Sequence, residues 1–138
     1  MTRFNITLEE GVEMVLYAIE NSWGGELFVP KIPSYKILDV AKAVAPKCKI
    51  DFVGVRPGEK IHEEMITETD SLNTFDCGKY YVITPAVPAW DLDDWKIKFG
   101  AKQVPAGFKY NSGANSDWVT VDELRGLIVK HIDPEFVV

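Results

Sequence analysis

The segment Arg56-Pro57-Gly58-Glu59 carries the polar side chain with the clearest chemical use. Proline at the second position and glycine at the third suit a type II turn, because proline presets φ and glycine accepts a positive φ. The residues before it, 49–55, alternate enough to predict a strand. A guanidinium that projects from a strand end can fork onto phosphate oxygens, so Arg56 is a candidate phosphate ligand. The alternative is a surface arginine in a strand-ending turn, and Arg3 has the same two interpretations.

The acids and the histidine that follow allow a second kind of chemistry. Glu59, Glu63 and Glu64 could form a carboxylate pair for acid–base work, although acids on a solvated turn explain them equally well. His62 does not begin an HExxH zinc motif, because Ile66 stands four positions after it. We therefore predict no metal site and assign no catalytic residue.

Motifs that a self-sufficient nucleotide enzyme needs are absent from the sequence. The glycines form neither a GxGxxG fingerprint nor a GxxxxGK[ST] loop, so neither kind of phosphate cradle is encoded. None of the tyrosines is followed four positions later by a lysine. The domain is therefore predicted to hold a ligand rather than to transform it alone.

Three helices are predicted to position these residues. Thr7 with Glu10, and Thr120 with Glu123, have the spacing of a capping box, in which each side chain satisfies an orphan amide of the first turn. Apolar residues then recur at helical spacing after each box. Ser34 is expected to cap a further helix that ends at a proline.

Short strands are predicted between the helices. Runs rich in β-branched and aromatic residues indicate strands at 26–29, 49–55 and 80–84. This alternation predicts the α/β class (mixed α+β), with helices packed on a small mixed sheet. We expect one domain over residues 1–138, made of a helix and strand core (1–84), an irregular aromatic-rich segment (85–119) and a C-terminal helix (120–133).

The composition limits the class of protein. Of the 138 residues, 46% are hydrophobic and 12% aromatic, which suffices for one core. The 15 basic and 21 acidic residues give a net charge of −6, which argues against nucleic-acid binding and against a basic membrane face. No apolar run approaches the ~18 residues that span a bilayer. With no signal-like start and two cysteines, the chain is expected to be cytoplasmic.

Four stretches carry a resemblance to a known family. The start, MTRFNITLEEGV at 1–12, resembles the substrate-binding part of extended short-chain dehydrogenase/reductase proteins. The stretches GGELFVPKIPS at 24–34 and RPGEKIHEEMI at 56–66 are similar to the inverting UDP-N-acetylglucosamine 4,6-dehydratase family of surface-polysaccharide and pseudaminic acid biosynthesis. The tail at 108–118 also looks like that family's C-terminal end. The resemblance spans nearly the whole chain.

The resemblance implies a phosphate-binding role for two arginines. In the family, arginines that match Arg56 and Arg3 help to hold the diphosphate of a UDP-sugar. Asn115 and Tyr110 are further candidates for sugar or partner contacts. These assignments agree with the physical argument for a guanidinium at the end of a strand.

The resemblance also implies a second domain. Relatives join this lobe to an N-terminal Rossmann domain, which binds NADP and supplies a tyrosine and a lysine. In them the cofactor takes hydride from C4 of the sugar, water is eliminated across C5 and C6, and the hydride returns at C6. The present sequence lacks that half, so NADP is expected only with a Rossmann partner, and the chain is expected to bind a UDP-N-acetylhexosamine without turning it over.

Two alternatives remain at this stage. The chain could be a non-catalytic interaction or oligomerisation module that partners a full-length relative, or a decayed fragment that folds without function. Loss of a Rossmann domain would expose an apolar face, and such faces mark interfaces. We therefore expect a homo-oligomer or a separate partner, held through the first helix and residues 90–110.

Overall fold

The computed structural model describes all 138 residues. The chain divides into two compact units that alternate along the sequence. The first unit consists of residues 1–5, 33–63 and 111–138, and the second of residues 6–32 and 64–110. Neither unit follows the three consecutive segments that the sequence suggests.

The first unit combines a pair of short strands with two helices. Strands β1 (Thr2–Phe4) and β3 (Ser34–Lys36) pair in antiparallel register. β3 continues directly into helix α2 (Ile37–Val44), which packs against helix α4 (Val121–His131). The core of this unit is formed by the buried residues Ala43, Val119 and Leu124.

Ser34 does not cap α2 as predicted. It lies in β3 and is completely buried. Its amide donates to the carbonyl of Asp117 at 2.9 Å, and its own carbonyl accepts from the amide of Val119 at 2.8 Å. This backbone pairing keeps the chain extended through Ser34, so the predicted helix begins later, at Ile37, without a side-chain cap.

The strand predicted at 49–55 is not formed. Phe52 and Val53 are 82% and 94% exposed, and no other strand pairs with this stretch. An alternating pattern becomes a strand only where a neighbouring strand supplies hydrogen-bond partners. Arg56 therefore follows an exposed, unpaired segment and not the rigid strand end that the sequence suggests.

The second unit is built around a four-stranded antiparallel sheet. Its strands are β2 (Leu27–Pro30), β5 (Thr74–Asp76), β6 (Tyr80–Ile83) and β7 (Lys102–Gln103). They lie in the order β2-β6-β5-β7. The remaining short elements are strands β4 (Glu64–Ile66) and β8 (Tyr110–Asn111), which form a separate pair, and a 3₁₀ turn at Asp70–Asn73.

Helix α1 (Leu8–Asn21) begins at the predicted capping box. The Thr7 hydroxyl accepts from the amide of Glu10, and the Glu10 carboxylate accepts from the amide of Thr7 at 2.8 Å. The helix packs on the core through Met14 and Tyr17. The second capping box is also present at the start of α4, where Thr120 and Glu123 exchange the same bonds.

The segment predicted to be irregular, 85–119, contains a helix. Helix α3 spans Leu92–Phe99, and the Asp91 side chain caps it by accepting from the amides of Asp93 and Asp94. Gly100 closes it in the left-handed conformation, with φ of 56°. The signal for the start of this helix is Asp91 alone, without the glutamate of a capping box. The many prolines and glycines nearby make this signal hard to recognise in the sequence.

An aromatic core holds the second unit together. Phe75, Tyr80, Val82 and Trp95 are buried, and partly buried rings pack around them. Trp90, Trp95 and Phe99 of the segment 90–110 therefore contribute to this core, and an interface role for the segment remains a prediction. The α/β (mixed α+β) class is confirmed, and both sheets with a defined register are antiparallel. None of the helices has the length and hydrophobicity needed to cross a membrane.

Candidate functional site

The predicted turn carries Arg56 at the surface of the first unit. The amide of Glu59 donates to the carbonyl of Arg56 at 3.0 Å, and Gly58 has a φ of 80°, as a type II turn requires. The Arg56 side chain is 85% exposed. The turn is therefore confirmed, although the strand that was expected before it is absent.

Arg3 lies on β1 and is held far more firmly than Arg56. Its Nη1 donates to the carbonyl of Thr2 at 2.7 Å, and its side chain is 21% exposed. Its Nε lies 3.6 Å from an oxygen of Glu63. This guanidinium is oriented by backbone and carboxylate together, which limits how far it can move.

Glu59 joins the two arginines. One of its carboxylate oxygens lies 3.9 Å from Nη2 of Arg3, and the other lies 3.5 Å from Nε of Arg56. Hydrogen bonds from the amide and the side chain of Arg56 hold the pKa of Glu59 below its ordinary value. A single anionic group thus lies between two cations that are distant in sequence, and these cations are the two predicted phosphate ligands.

The segment that follows the turn is fastened to β1 by its backbone. The amide of Thr2 donates to the carbonyl of Ile61 at 3.0 Å, and the amide of Phe4 donates to the Glu63 carboxylate at 2.9 Å. Glu63 and Ser112 bond through their backbones as well, from the amide of Ser112 to the carbonyl of Glu63 at 2.8 Å. One end of the Arg56 turn is therefore fixed, while the other end continues into the exposed residues 49–55.

A small hydroxyl network supports this fastening. The hydroxyl of Thr2 lies 2.7 Å from that of Ser112 and 2.8 Å from Nδ1 of His62. The hydroxyl of Ser112, which is completely buried, also accepts from the amide of Glu63 at 2.9 Å. No local pattern indicates this network, because its members lie up to 110 positions apart. His62 is thus a hydrogen-bonded surface residue and belongs to no metal cluster.

The ring of His62 occupies the space that a side chain at position 113 would need. A Cβ at position 113 would lie 2.5 Å from Nδ1 of His62. We expect Gly113→Ala to displace the imidazole and break its bond to Thr2, which costs about 0.5–1.5 kcal/mol of unfolding free energy. Urea unfolding followed by circular dichroism measures this loss.

The control for this prediction is the same change in a second background. In a His62→Ala protein the ring is gone, so Gly113→Ala should cost almost nothing there, and the coupling energy of the double-mutant cycle reports the clash alone. Equal costs in both backgrounds would show that the glycine is needed for another reason.

Tyr110 and Asn115 are engaged in structural hydrogen bonds. The hydroxyl of Tyr110, in the second unit, accepts from the amide of Ile32 and donates to its carbonyl, both at 2.9 Å. In the first unit, Asn115 donates through Nδ2 to the hydroxyl of Ser34 at 3.0 Å. The structure thus brings Arg3 and Arg56 together through Glu59, and Tyr110 and Asn115 form separate hydrogen bonds with Ile32 and Ser34.

The chain is similar in sequence and in structure to known proteins. UDP-N-acetylglucosamine 4,6-dehydratase (inverting) of Campylobacter jejuni serotype O:2 is 46% identical over 132 residues, which are 93% of this chain and 40% of that protein. UDP-glucose 4-epimerase of Rickettsia akari is 41% identical over 133 residues, or 94% of this chain and 38% of that protein. The X-ray structure of Pen from Bacillus thuringiensis superposes with a TM-score of 0.74 at 29% identity, covering 94% of this chain and 39% of that one.

The chain spans about two fifths of the length of the curated relatives that it matches. The family model described as polysaccharide biosynthesis protein matches residues 1–85, a stretch that contains Arg3, Glu59 and Arg56. This match covers more than half of the chain, and the resemblance seen in the sequence is confirmed. The chain is a member of the polysaccharide biosynthesis protein family.

Proposed function

We propose that the first unit grips the diphosphate of a UDP-N-acetylhexosamine, as part of the substrate-binding lobe of a 4,6-dehydratase-like protein. The observation that carries this proposal is the Glu59 carboxylate, which lies between Arg3 and Arg56. A carboxylate and a phosphate offer guanidinium groups the same kind of paired oxygens. Two arginines that hold a carboxylate between them are therefore also arranged to hold a phosphate in its place.

Replacing Glu59 by a phosphate changes the contacts of both arginines. The two contacts of Glu59, at 3.5 and 3.9 Å, are longer than the about 2.7–2.9 Å of a tight charged hydrogen bond. The side chains of Arg3 and Glu59 are 21% and 23% exposed, whereas that of Arg56 is 85% exposed, so only the contact with Arg56 is an exposed ion pair of the kind that adds little stability. A charged hydrogen bond from an arginine to phosphate contributes about 1.5–3 kcal/mol. A diphosphate therefore replaces a weak contact of Arg56 by stronger ones, but it also displaces Glu59 from the amide of Arg56, which donates to it at 3.2 Å.

The sugar and the uridine are proposed from the relatives. Two of them carry names that specify UDP-N-acetylglucosamine and UDP-glucose as substrates. The predicted sugar contacts of Tyr110 and Asn115 remain predictions, and their present hydrogen bonds favour a role in shaping the chain around the ligand.

The residues of this chain do not form the kind of site that binds NADP, so the proposed function contains no chemical step on that cofactor. A dinucleotide cradle needs a strand, a glycine-rich turn and a helix in succession. β3 instead runs into α2 at Ile37 with no glycine between them, and the residue before α1 is the capping Thr7. Dehydration would need a cofactor-binding domain in addition to these residues, and we propose that the lobe alone is inactive.

Calorimetric titration tests the proposal. The parent chain should bind UDP-N-acetylglucosamine, UDP and inorganic pyrophosphate. Arg56→Ala should weaken each by about 1.5–3 kcal/mol, which is roughly 10- to 150-fold in Kd. Arg3→Ala should have an effect of the same size, because both guanidiniums contact the ligand.

The remaining arginine of the chain serves as the matched control. Arg125 bonds to the carbonyl of Ala43 and to Asp122, away from Glu59. Arg125→Ala should therefore leave all three affinities unchanged. Parent-like binding by Arg56→Ala, or an equal loss in Arg125→Ala, would contradict the proposed role.

The second candidate function is a non-catalytic interaction module. The specific observation in its favour is the outer face of α1, where apolar side chains are exposed to solvent. This function needs a protein partner even when no nucleotide sugar is present. Co-purification from the native source without added UDP-sugar would distinguish it from the first candidate.

A further inference from the structure

The guanidinium of Arg3 offers one of its edges to an anion. Its Nη1 donates to the backbone carbonyls of Thr2 and Ile61 at 2.7 and 3.4 Å, so that corner is already bonded within the protein. The opposite edge, formed by Nε and Nη2, is a fork that can meet two oxygens of a carboxylate or a phosphate. Both acidic neighbours lie along it, with Glu63 at 3.6 Å from Nε and Glu59 at 3.9 Å from Nη2. An anion that binds Arg3 therefore meets both carboxylates.

The two carboxylates are held in different ways. The carboxylate of Glu63 accepts from the amide of Phe4 at 2.9 Å. The amide of Glu63 donates to the hydroxyl of Ser112, and its carbonyl accepts from the amide of Ser112. Glu59 lies on the turn and accepts from the amide of Arg56 at 3.2 Å. A phosphate can therefore displace Glu59 by moving the turn, whereas Glu63 is fixed on both sides and stays beside Arg3.

A resident carboxylate makes the affinity of the site depend on the charge of the ligand. In a diphosphate that is esterified at both ends, each phosphate carries a single negative charge. A terminal phosphate ionises a second time with a pKa of about 6 and carries a charge of about −1.5 to −2 at pH 7. Two arginines alone would favour the more highly charged ligand. With Glu63 in place, the additional charge lies next to an anion as well, and like charges that are held close together oppose binding.

We propose that Glu63 is a specificity-determining residue, which lowers the affinity of the site for terminal phosphates and thereby favours a diphosphate esterified at both ends. A nucleotide sugar belongs to that class, whereas a free nucleoside diphosphate and pyrophosphate do not. This inference rests on the proposed function, because it requires that the diphosphate lie against Arg3 and Arg56. Guanidinium groups attract every phosphate, so the arginines alone cannot distinguish a nucleotide sugar from the free nucleotides that compete with it.

Calorimetric titration with UDP and with its β-methyl ester tests this selectivity, because the two ligands differ by one methyl group and one charge. At about pH 8 the terminal phosphate of UDP is fully ionised, since its second pKa is about 6. We expect the parent chain to bind the ester at least as tightly as UDP. In Glu63→Gln, whose side-chain oxygen can still accept from the amide of Phe4, UDP should gain about fivefold or more relative to the ester. Circular dichroism checks that the variant is folded.

Glu64→Gln is the matched control, because it removes the same charge from the next residue. The side chain of Glu64 is exposed, and the ion pairs of Arg3 and Arg56 involve Glu59 and Glu63 instead. The control should leave the ratio of the two dissociation constants unchanged. An unchanged ratio in Glu63→Gln, or an equal change in Glu64→Gln, would overturn the role of Glu63 alone. If neither UDP, its ester nor UDP-N-acetylglucosamine bound to the parent, or if Arg56→Ala bound them equally well, the proposed function would fail and this inference with it.

Discussion

Replacing Trp95 with alanine is expected to lower the free energy of unfolding by about 3–5 kcal/mol. The side chain is completely buried and contacts three aromatic rings, those of Phe75, Trp90 and Phe99, at centroid distances of 5.7, 5.6 and 5.0 Å. Truncation would leave a cavity in the centre of the second unit. Domains have free energies of unfolding of about 5–15 kcal/mol, so this change would remove a large part of the stability.

Ile97 on the same helix provides the comparison for Trp95. It is 80% exposed, so Ile97→Ala should change the free energy of unfolding by less than about 0.5 kcal/mol. Urea unfolding followed by circular dichroism measures both variants. A Trp95→Ala protein with the midpoint of the parent would mean that the aromatic cluster is not the core of this unit.

Replacing Glu26 with alanine is expected to cost about 1.5–3 kcal/mol at neutral pH, the value for hydrogen bonds to a charged group. The carboxylate accepts from the amides of Trp23 and Gly24 at 2.8 and 2.7 Å and from the hydroxyl of Ser22 at 2.8 Å. It also accepts from the indole of Trp95 at 3.2 Å. All four bonds would be lost at once, although the amide of Gly24 also donates to the hydroxyl of Ser22 at 3.2 Å.

The cost of Glu26→Ala should depend on pH. Burial by itself would raise the pKa of Glu26, but hydrogen bonds from Trp23, Ser22 and Gly24 outweigh it, and the pKa is lowered from 4.5. A lowered pKa contributes stability that is complete above the unfolded value and is lost as the pH falls through the folded value. The difference between parent and variant should therefore shrink below about pH 4.5.

Glu20→Ala is the control for Glu26→Ala, because Glu20 is an exposed glutamate of α1. It should alter neither stability nor its pH dependence by a comparable amount. If Glu26→Ala kept the full acid sensitivity of the parent, the titrating group would lie elsewhere. The effects at Glu26 and Trp95 should not add, because the two side chains share a hydrogen bond.

Local signals in the sequence predicted local structure well. The two capping boxes are confirmed, since each is complete within four residues and needs no distant partner. The turn at Arg56 is confirmed for the same reason, because proline and glycine set its backbone directly. The strand predicted at 49–55 is wrong because a strand also needs a neighbouring strand to pair with. The local pattern does not reveal whether such a neighbour is present.

The arrangement of the candidate site could be predicted only in part. Arg3 and Arg56 were identified by residue type and by resemblance, but nothing in their spacing revealed that Glu59 lies between them. Their approach depends on backbone bonds from β1 to the segment after the turn, and on the hydroxyl of Ser112. The exposure of the apolar face of α1 was expected from the resemblance, which implies a second domain, and not from the pattern itself, because helical periodicity defines a face and not the direction in which that face points.

The interleaving of the two units has a consequence for how the protein is made. All strands of the second unit's main sheet exist once residue 103 has been synthesised. The segment after Arg56 already has its bonds to Thr2 and Phe4 by then, and the bond from the amide of Glu63 to the Ser112 hydroxyl is added once residue 112 has been synthesised. On the ribosome, therefore, the pairing of the Arg56 segment with β1 and the assembly of the aromatic sheet can both begin before the hydroxyl network is complete.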